Sequence, residues 1–242
     1  MSVNRKFGLG VAAAIMILLL QIPPGLAQTT CPAPWGARGS ATFYDASSGV
    51  NLCTLDIGNG ITAALSPADY GNSEHCGECL QVSGPLGTVI VRVTDKCPGC
   101  TAGNLDLSAP AFAAIANPAA GVASISWHRI ACPVSGNMAF KFQGSNPYYI
   151  KLQARDHRYG VVSMALQGSS GSAYQTMARS SDNFFVVSPA APIDGAFKVR
   201  LTSTSGEVLD QTLGGIDNNN VIAGTDQFKD CGLIFRDGLE GF

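Results

Sequence analysis

Two cysteine pairs, Cys76-Gly77-Glu78-Cys79 and Cys97-Pro98-Gly99-Cys100, stand seventeen residues apart. Zinc ribbons share that spelling, with four thiolates around one tetrahedral ion. Four further cysteines, Cys31, Cys53, Cys132 and Cys231, bring the count to eight. Eight cysteines allow on the order of a hundred pairings, so spacing leaves the connectivity open. The expected compartment favours disulfides over metal. Arg5 and Lys6 precede an uncharged stretch rich in Ala, Ile and Leu that runs to about Leu20, and Gly25-Leu26-Ala27 offers small residues for cleavage. This is the three-part layout of a secretory signal over residues 1–27. Its apolar run is short of the roughly 20 residues that a bilayer span needs. The mature protein is therefore expected to be secreted, extracellular and free of the membrane, where paired thiols persist as bridges. No metal site is expected.

The remaining chemistry lies with carboxylates, a hydroxyl and aromatic rings. Thr94-Asp95 ends an apolar run, so Asp95 either emerges at the rim of a barrel or caps the turn before Cys97-Pro98. Asp106 lies in Leu105-Asp106-Leu107-Ser108, just before a helix start. Two readings stay open for it. It is a general acid if its apolar neighbours outweigh the helix N-terminus, and otherwise it helps to cap the helix. Ala41-Thr42-Phe43-Tyr44-Asp45 holds a hydroxyl, an aromatic pair and a carboxylate, or is an ordinary strand with a turn at Asp45. Pro147-Tyr148-Tyr149-Ile150 offers flat rings that could stack on sugar faces. A ring covering roughly 100 Å² would contribute about 2.5 kcal/mol gross. By strand parity Tyr149 groups with Lys151, Gln153 and Arg155 as surface, and Tyr148 with Ile150 and Leu152 as core. Tyr148 joins the exposed face only if the chain bends after Pro147. His75, His128 and His157 are scattered, and no Ser/His/Asp arrangement appears.

Most of the elements that must position these groups read as strands. Thr88–Thr94 is β-branched and predicts a strand buried on both sides. Leu80–Val82 precedes it across the turn Gly84-Pro85-Leu86-Gly87. Ser124–Ile130 alternates Ile125, Trp127 and either His128 or Arg129. One helix is predicted over Pro110–Ala116, capped by Ser108 and stopped by Asn117-Pro118. Near residue 135 the texture changes, and short alternating runs follow at 148–155, 161–166, 183–187 and 197–202, with a last one around Ile234. Their spacing suggests a sandwich.

Without residues 1–27, 215 of the 242 residues remain, enough for one large domain or two ordinary ones. Those residues carry 13 basic and 17 acidic side chains, a net charge of −4. No basic run exists, which argues against nucleic acid as a partner. Charged residues are only 13% and Gly numbers 28, a balance that suits a β-rich secreted protein.

Taken together, several segments resemble the bacterial expansins. They are Gly39–Tyr44, Cys76–Cys79, Val93–Cys100, Leu105–Ser108 with Ala111-Phe112, and Ser126–Arg129. Tyr148-Tyr149 and Gln153–Tyr159 continue the match, in one order over nearly all of the chain after the signal. The resemblance implies an all-β fold. Residues 31–135 would form a six-stranded double-psi β-barrel related to family-45 endoglucanases. Residues 137–242 would form an immunoglobulin-like β-sandwich that binds cellulose. It also implies wall loosening without hydrolysis, no cofactor, and cellulose and other cell-wall polysaccharides as partners of a monomer. The groove residues would be Thr42, Asp95 and Asp106, and the substrate-binding aromatics Tyr148, Tyr149 and Tyr44. Among disulfides it implies Cys53–Cys76 and Cys79–Cys132; Cys97–Cys100 and Cys31–Cys231 are expected for the rest.

The chain departs from that pattern in places. Two Trp of the best-known bacterial members are Tyr148 and Tyr149 here. A third platform aromatic falls near Ser181, with Tyr174 as a candidate replacement, and a barrel Tyr falls at Cys97. Asp45 lies close to the position of the base in lytic relatives. If it faced Asp106 at about 6.5–9.5 Å, inverting hydrolysis would be possible. Two other readings therefore stand beside the expansin: a weak β-1,4-glucanase using Asp106 and Asp45, and a plain carbohydrate-binding protein.

Overall fold

A computed structural model describes residues 35–171 and 173–230. The expected signal, Cys31 and Cys231 with their expected bond, and the expected strand around Ile234 lie outside the described residues. The first half holds β1 (Gly36–Tyr44), β2 (Thr62–Leu65), α1 (Pro67–Tyr70), β3 (Cys79–Gly84), β4 (Gly87–Lys96), β5 (Leu105–Ser108), α2 (Ala109–Ile115) and β6 (Ala123–Ile130). Its strands close a barrel in the order β1-β5-β2-β4-β3-β6. The pairs β1/β5 and β2/β4 are parallel, while β2/β5 is antiparallel, so the chain crosses itself as a double-psi barrel does. Alternate side chains fill the interior. Ala41, Ala63, Leu65, Leu80, Val93 and Leu107 are all buried, mixing small and branched residues across facing strands. Trp127 adds bulk, and its Nε1–H donates to the Gly103 carbonyl at 2.7 Å. On β6 the fourth inward position belongs to Arg129, not His128.

Three local expectations are corrected. β4 is not buried along its whole length: Val91, Val93 and Thr94 are buried, but Thr88 and Ile90 face solvent. They belong to the outer part of the β3/β4 hairpin, where only one face is covered and Val89 packs on the core. The helix runs over Ala109–Ile115, and Ser108 does not cap it with its side chain. Ser108 is the last residue of β5, and its Oγ accepts the Thr62 N–H at 3.1 Å, which ties β5 to β2. Asn117 instead caps a following 3-10 turn, accepting the Ala119 N–H. The unexpected α1 starts from Ser66, whose Oγ accepts the Asp69 N–H at 3.1 Å.

The second half holds β7 (Ala139–Phe142), β8 (Ile150–Arg155), β9 (Val161–Gln167), β10 (Gln175–Thr176), β11 (Ala178–Arg179), β12 (Phe185–Val187), β13 (Phe197–Ser203), β14 (Val208–Leu213) and β15 (Val221–Ala223). They form two sheets, β10-β9-β13-β14 and β11-β12-β8-β7-β15. Their inner faces make one core, with Phe197, Val199 and Leu201 of β13 in the same cluster as Phe140, Phe142 and Leu152. Lys198 and Arg200 alternate outward, as the sequence pattern requires. The chain is thus all-β, a double-psi barrel followed by an immunoglobulin-like sandwich.

The barrel packs on the other face of β8. Gln153 and Arg155, expected at the surface, are 0% and 5% exposed. Gln153 Nε2 donates to the Cys53 carbonyl at 2.9 Å and to Thr54 Oγ1 at 2.8 Å. Arg155 donates to Asp56 Oδ2 at 2.6 Å and to the Thr54 carbonyl at 2.8 Å. Strand parity assigns these residues correctly to the face opposite the sandwich core. It carries no information that a second unit covers that face.

Candidate functional site

The parallel register of β1 and β5 sets Thr42 beside Asp106. Their neighbours Ala41, Leu105 and Leu107 turn into the barrel core, which leaves Thr42 and Asp106 half-buried on the other face. Thr42 Oγ1–H donates to Asp106 Oδ1 at 2.7 Å. Asp106 therefore sits mid-strand, neither enclosed by its leucines nor at the helix cap. The row continues. Ala64 on β2 pairs with Asp106 on one side and Asp95 on the other. Asp106 and Asp95 are thus two strand spacings apart, about 10 Å. Between them lies only the buried methyl group of Ala64, so the two carboxylates flank a low floor, called the trough below.

Asp95 holds the trough's far side. Its Oδ1 accepts the Lys96 N–H at 2.8 Å and the Leu52 N–H at 3.0 Å, so it anchors the 52 loop as well as its own turn. Tyr44 shares the Thr42 face of β1, two residues on. Burial pushes the Tyr44 hydroxyl pKa up, and the negative charges of Asp95 and Asp106 act in the same direction, against the Thr62 and Thr94 hydroxyls. Thr42, Tyr44, Asp95 and Asp106 therefore form one cluster. Asp45 does not share its environment. It is exposed beyond the end of β1, and its Oδ1 accepts the Ser47 N–H at 2.9 Å. Bonds from Ser47 hold its carboxyl below the usual range.

The aromatic pair differs from its parity assignment. Asn146–Tyr149 is a tight turn closed by two backbone bonds, Asn146 N–H to the Tyr149 carbonyl (2.8 Å) and Tyr149 N–H to the Asn146 carbonyl (3.0 Å). β8 starts only at Ile150, so the two-residue period does not extend to Tyr148. Tyr148 stands at the turn and is 66% exposed, while Tyr149 is half-buried. The bend after Pro147 decides this. Tyr174 does not join them. It precedes β10 on the other sheet, where the Arg200 guanidinium lies 4.1 Å from its ring centroid. Ser181 is used through its backbone, accepting the Tyr70 hydroxyl at 3.0 Å.

The cysteines of the two CxxC pairs are spread over three disulfides, Cys53–Cys76, Cys79–Cys132 and Cys97–Cys100. Their sulfurs are bonded to one another rather than gathered at one centre. Among the described residues no three His, Cys, Asp or Glu side chains come together as metal ligands.

Sequence reasoning missed the residues that lock barrel to sandwich. Glu78, inside the first CxxC, is 0% exposed. It accepts bonds from Thr204 Oγ1 at 2.7 Å and the Gly160 N–H at 3.3 Å across the interface, and pairs with His75 and Arg129 within the barrel. Burial pushes the Glu78 carboxyl up, but His75, Arg129 and Thr204 together hold it below its ordinary value. Gly77 lets His157 approach: a Cβ there would meet the imidazole at 2.7 Å. A carboxylate flanked by two cysteines headed for the core was the available signal, since such a charge must find partners.

A family model described as lytic transglycolase matches residues 62–127, from β2 into β6. Expansin-B11 of Oryza sativa subsp. japonica is 30% identical over 222 residues, 76% of this chain and 74% of that protein. The chain belongs to the expansin family. Expansin-YoaJ of Bacillus subtilis is 34% identical to it over 155 residues, 62% of this chain and 65% of that protein. The crystal structure of apo Clavibacter michiganensis expansin superposes with a TM-score of 0.72 at 27% identity, covering 81% of this chain and 98% of that one. A mutant of the Clavibacter expansin is solved in complex with cellohexaose. In this expansin the trough is thus built on the barrel, and the exposed Tyr148 on a turn that the docked sandwich carries.

Proposed function

We propose that this expansin is a secreted, non-hydrolytic protein that binds cellulose and related wall glucans and loosens their packing. Its active unit is the barrel (31–135) and its cellulose-binding unit the sandwich (137–242). The observation that carries the reading is the Thr42–Asp106–Ala64–Asp95 row, a polar trough on a fold shared with an expansin that takes cellohexaose. A glucan strand presents a ladder of hydroxyls and flat apolar ring faces. Asp106 and Asp95 accept from the hydroxyls, Thr42, whose proton goes to Asp106, offers a further acceptor, Tyr44 lines the trough, and Tyr148 stacks on a ring with Tyr149 at its margin. Such contacts replace bonds between packed glucans, and no covalent bond breaks. No cofactor enters.

The state of Asp45 favours this reading over the weak glucanase. An inverting mechanism needs a second carboxylate that faces the acid across the substrate, whereas Asp45 is exposed beyond the end of β1, outside the cluster that holds Asp106. The test is sedimentation with microcrystalline cellulose, with the supernatant assayed for cello-oligosaccharides. Bound protein and no released sugar is the expected result. Sugar release that Asp106→Asn abolishes would restore the glucanase, and protein left in the supernatant would remove cellulose as the ligand.

A further inference from the structure

The three described disulfides differ in access. Cys53, Cys76, Cys79 and Cys132 are buried, none more than 4% exposed. Cys97 and Cys100 are partly exposed, and Pro98 and Gly99 between them are exposed. The bonds differ in leverage too. Cross-linking constrains the unfolded chain more as the closed loop lengthens. Cys79–Cys132 has a sequence separation of 53 and Cys97–Cys100 only 3. Of these three bonds, the most accessible is therefore the one that constrains the unfolded chain least. It is also placed to matter. The 97–104 loop joins the strands that carry Asp95 and Asp106, and the Cys97 N–H donates to the Leu65 carbonyl of β2 at 2.7 Å. Beyond the pair, Asn104 Oδ1 accepts the Ser40 N–H of β1 at 2.8 Å, so the same loop reaches both sides of the trough.

We propose that Cys97–Cys100 is a thiol–disulfide exchange site that takes low-molecular-weight thiols of the glutathione class. A thiolate attacks one of the two sulfurs, forms a mixed disulfide and expels the other cysteine as a thiolate. A second thiolate attacks the small-molecule sulfur of that mixed disulfide and releases the remaining cysteine. Two electrons pass to the protein. The Cys97–Cys100 bond is reduced to two thiols, two small thiols become one disulfide, and their protons end on the cysteines. Attack needs an open approach to sulfur, which the two buried bonds deny. Reduction frees the loop between the two carboxylate strands without unfastening the bonds that brace the core.

The experiment incubates the native full chain with reduced glutathione, traps free thiols with N-ethylmaleimide at intervals, and maps each cysteine by mass spectrometry. Cys97 and Cys100 are expected to label together, at least about tenfold faster than Cys53, Cys76, Cys79 and Cys132, with a glutathione adduct on one of the pair at early times. Labelling of Cys97 and Cys100 no faster than the buried pairs, or only after denaturant, would overturn the proposal. In the Cys97→Ser/Cys100→Ser variant, checked as folded by circular dichroism, the fast glutathione consumption is expected to vanish. Its persistence would place the reactive bond elsewhere.

Discussion

Thr42 and Asp106 meet because parallel strands put equal register positions side by side, and their bond is the shortest link in the trough. Thr42→Val removes the donor, keeps the shape and leaves Asp106 without that partner. A hydrogen bond to a charged group contributes about 1.5–3 kcal/mol, and half-burial argues for the lower end. Denaturant unfolding should therefore show a loss of about 1–2 kcal/mol, together with weaker binding of soluble cello-oligosaccharide. Unchanged stability and binding would remove this pair from the site. Tyr148 should behave in the opposite way. At 66% exposure its ring supports little of the fold, so Tyr148→Ala should shift stability by less than about 0.5 kcal/mol. Cellulose affinity should fall about tenfold, or about 1.4 kcal/mol. Equal affinity of wild type and variant in a depletion isotherm would refute a stacking role. The residue types of the trough are readable locally, but their convergence follows only from the family resemblance and not from any local pattern. Nothing local in Thr42 or Asp95 tells that Ala64 will sit between the two carboxylates.

At the scale of elements, β8 decides how barrel and sandwich are held. Its alternation is legible, and so is the identity of its inward face. What covers its outward face depends on a partner a hundred residues earlier in the chain, which no local period encodes. For the same reason β4 misreads as doubly buried: a run of β-branched residues does not say how far the barrel wall extends. Tyr148 leaves the strand's parity because the 146–149 turn interrupts the period, the condition under which the sequence exposes it. The interface also makes a pH prediction. Glu78 is held below its ordinary 4.5, so its contribution is present above that value and lost as pH falls through the lowered one. His157 is buried and shifted from 6.5 to about 4, chiefly by burial. Between those values the unfolded chain takes a proton that the folded chain refuses, so stability falls as pH drops from 6.5 to 4. That difference corresponds to roughly 3 kcal/mol as an upper bound. Urea midpoints should therefore decline steadily over this window, and His157→Leu should flatten the decline. A midpoint independent of pH from 6.5 to 4 would contradict the burial of a neutral imidazole.

For the whole molecule, trough and aromatic turn act on one polymer only if the docked units keep them in a fixed relation. Gln153, Arg155, Glu78 and Tyr70 make that relation through bonds to the 53–56, 160, 181 and 204 segments. Truncating the interface should then reduce wall loosening more than it reduces binding by either unit. Arg155→Leu is the variant to compare by wall creep and cellulose binding, and an equal fall in both would contradict the fixed relation. The class of the fold was legible in motif order and in the strand-and-turn texture, while the docking was not, since it is a property of two surfaces and not of any segment. The most direct test of the account is creep of a heat-killed plant wall strip under constant load, with reducing sugar assayed in the same bath, for wild type and Asp106→Asn. Non-hydrolytic loosening predicts extension with wild type, no sugar release, and no extension with Asp106→Asn. Extension that scales with released sugar, or that survives Asp106→Asn, would contradict it.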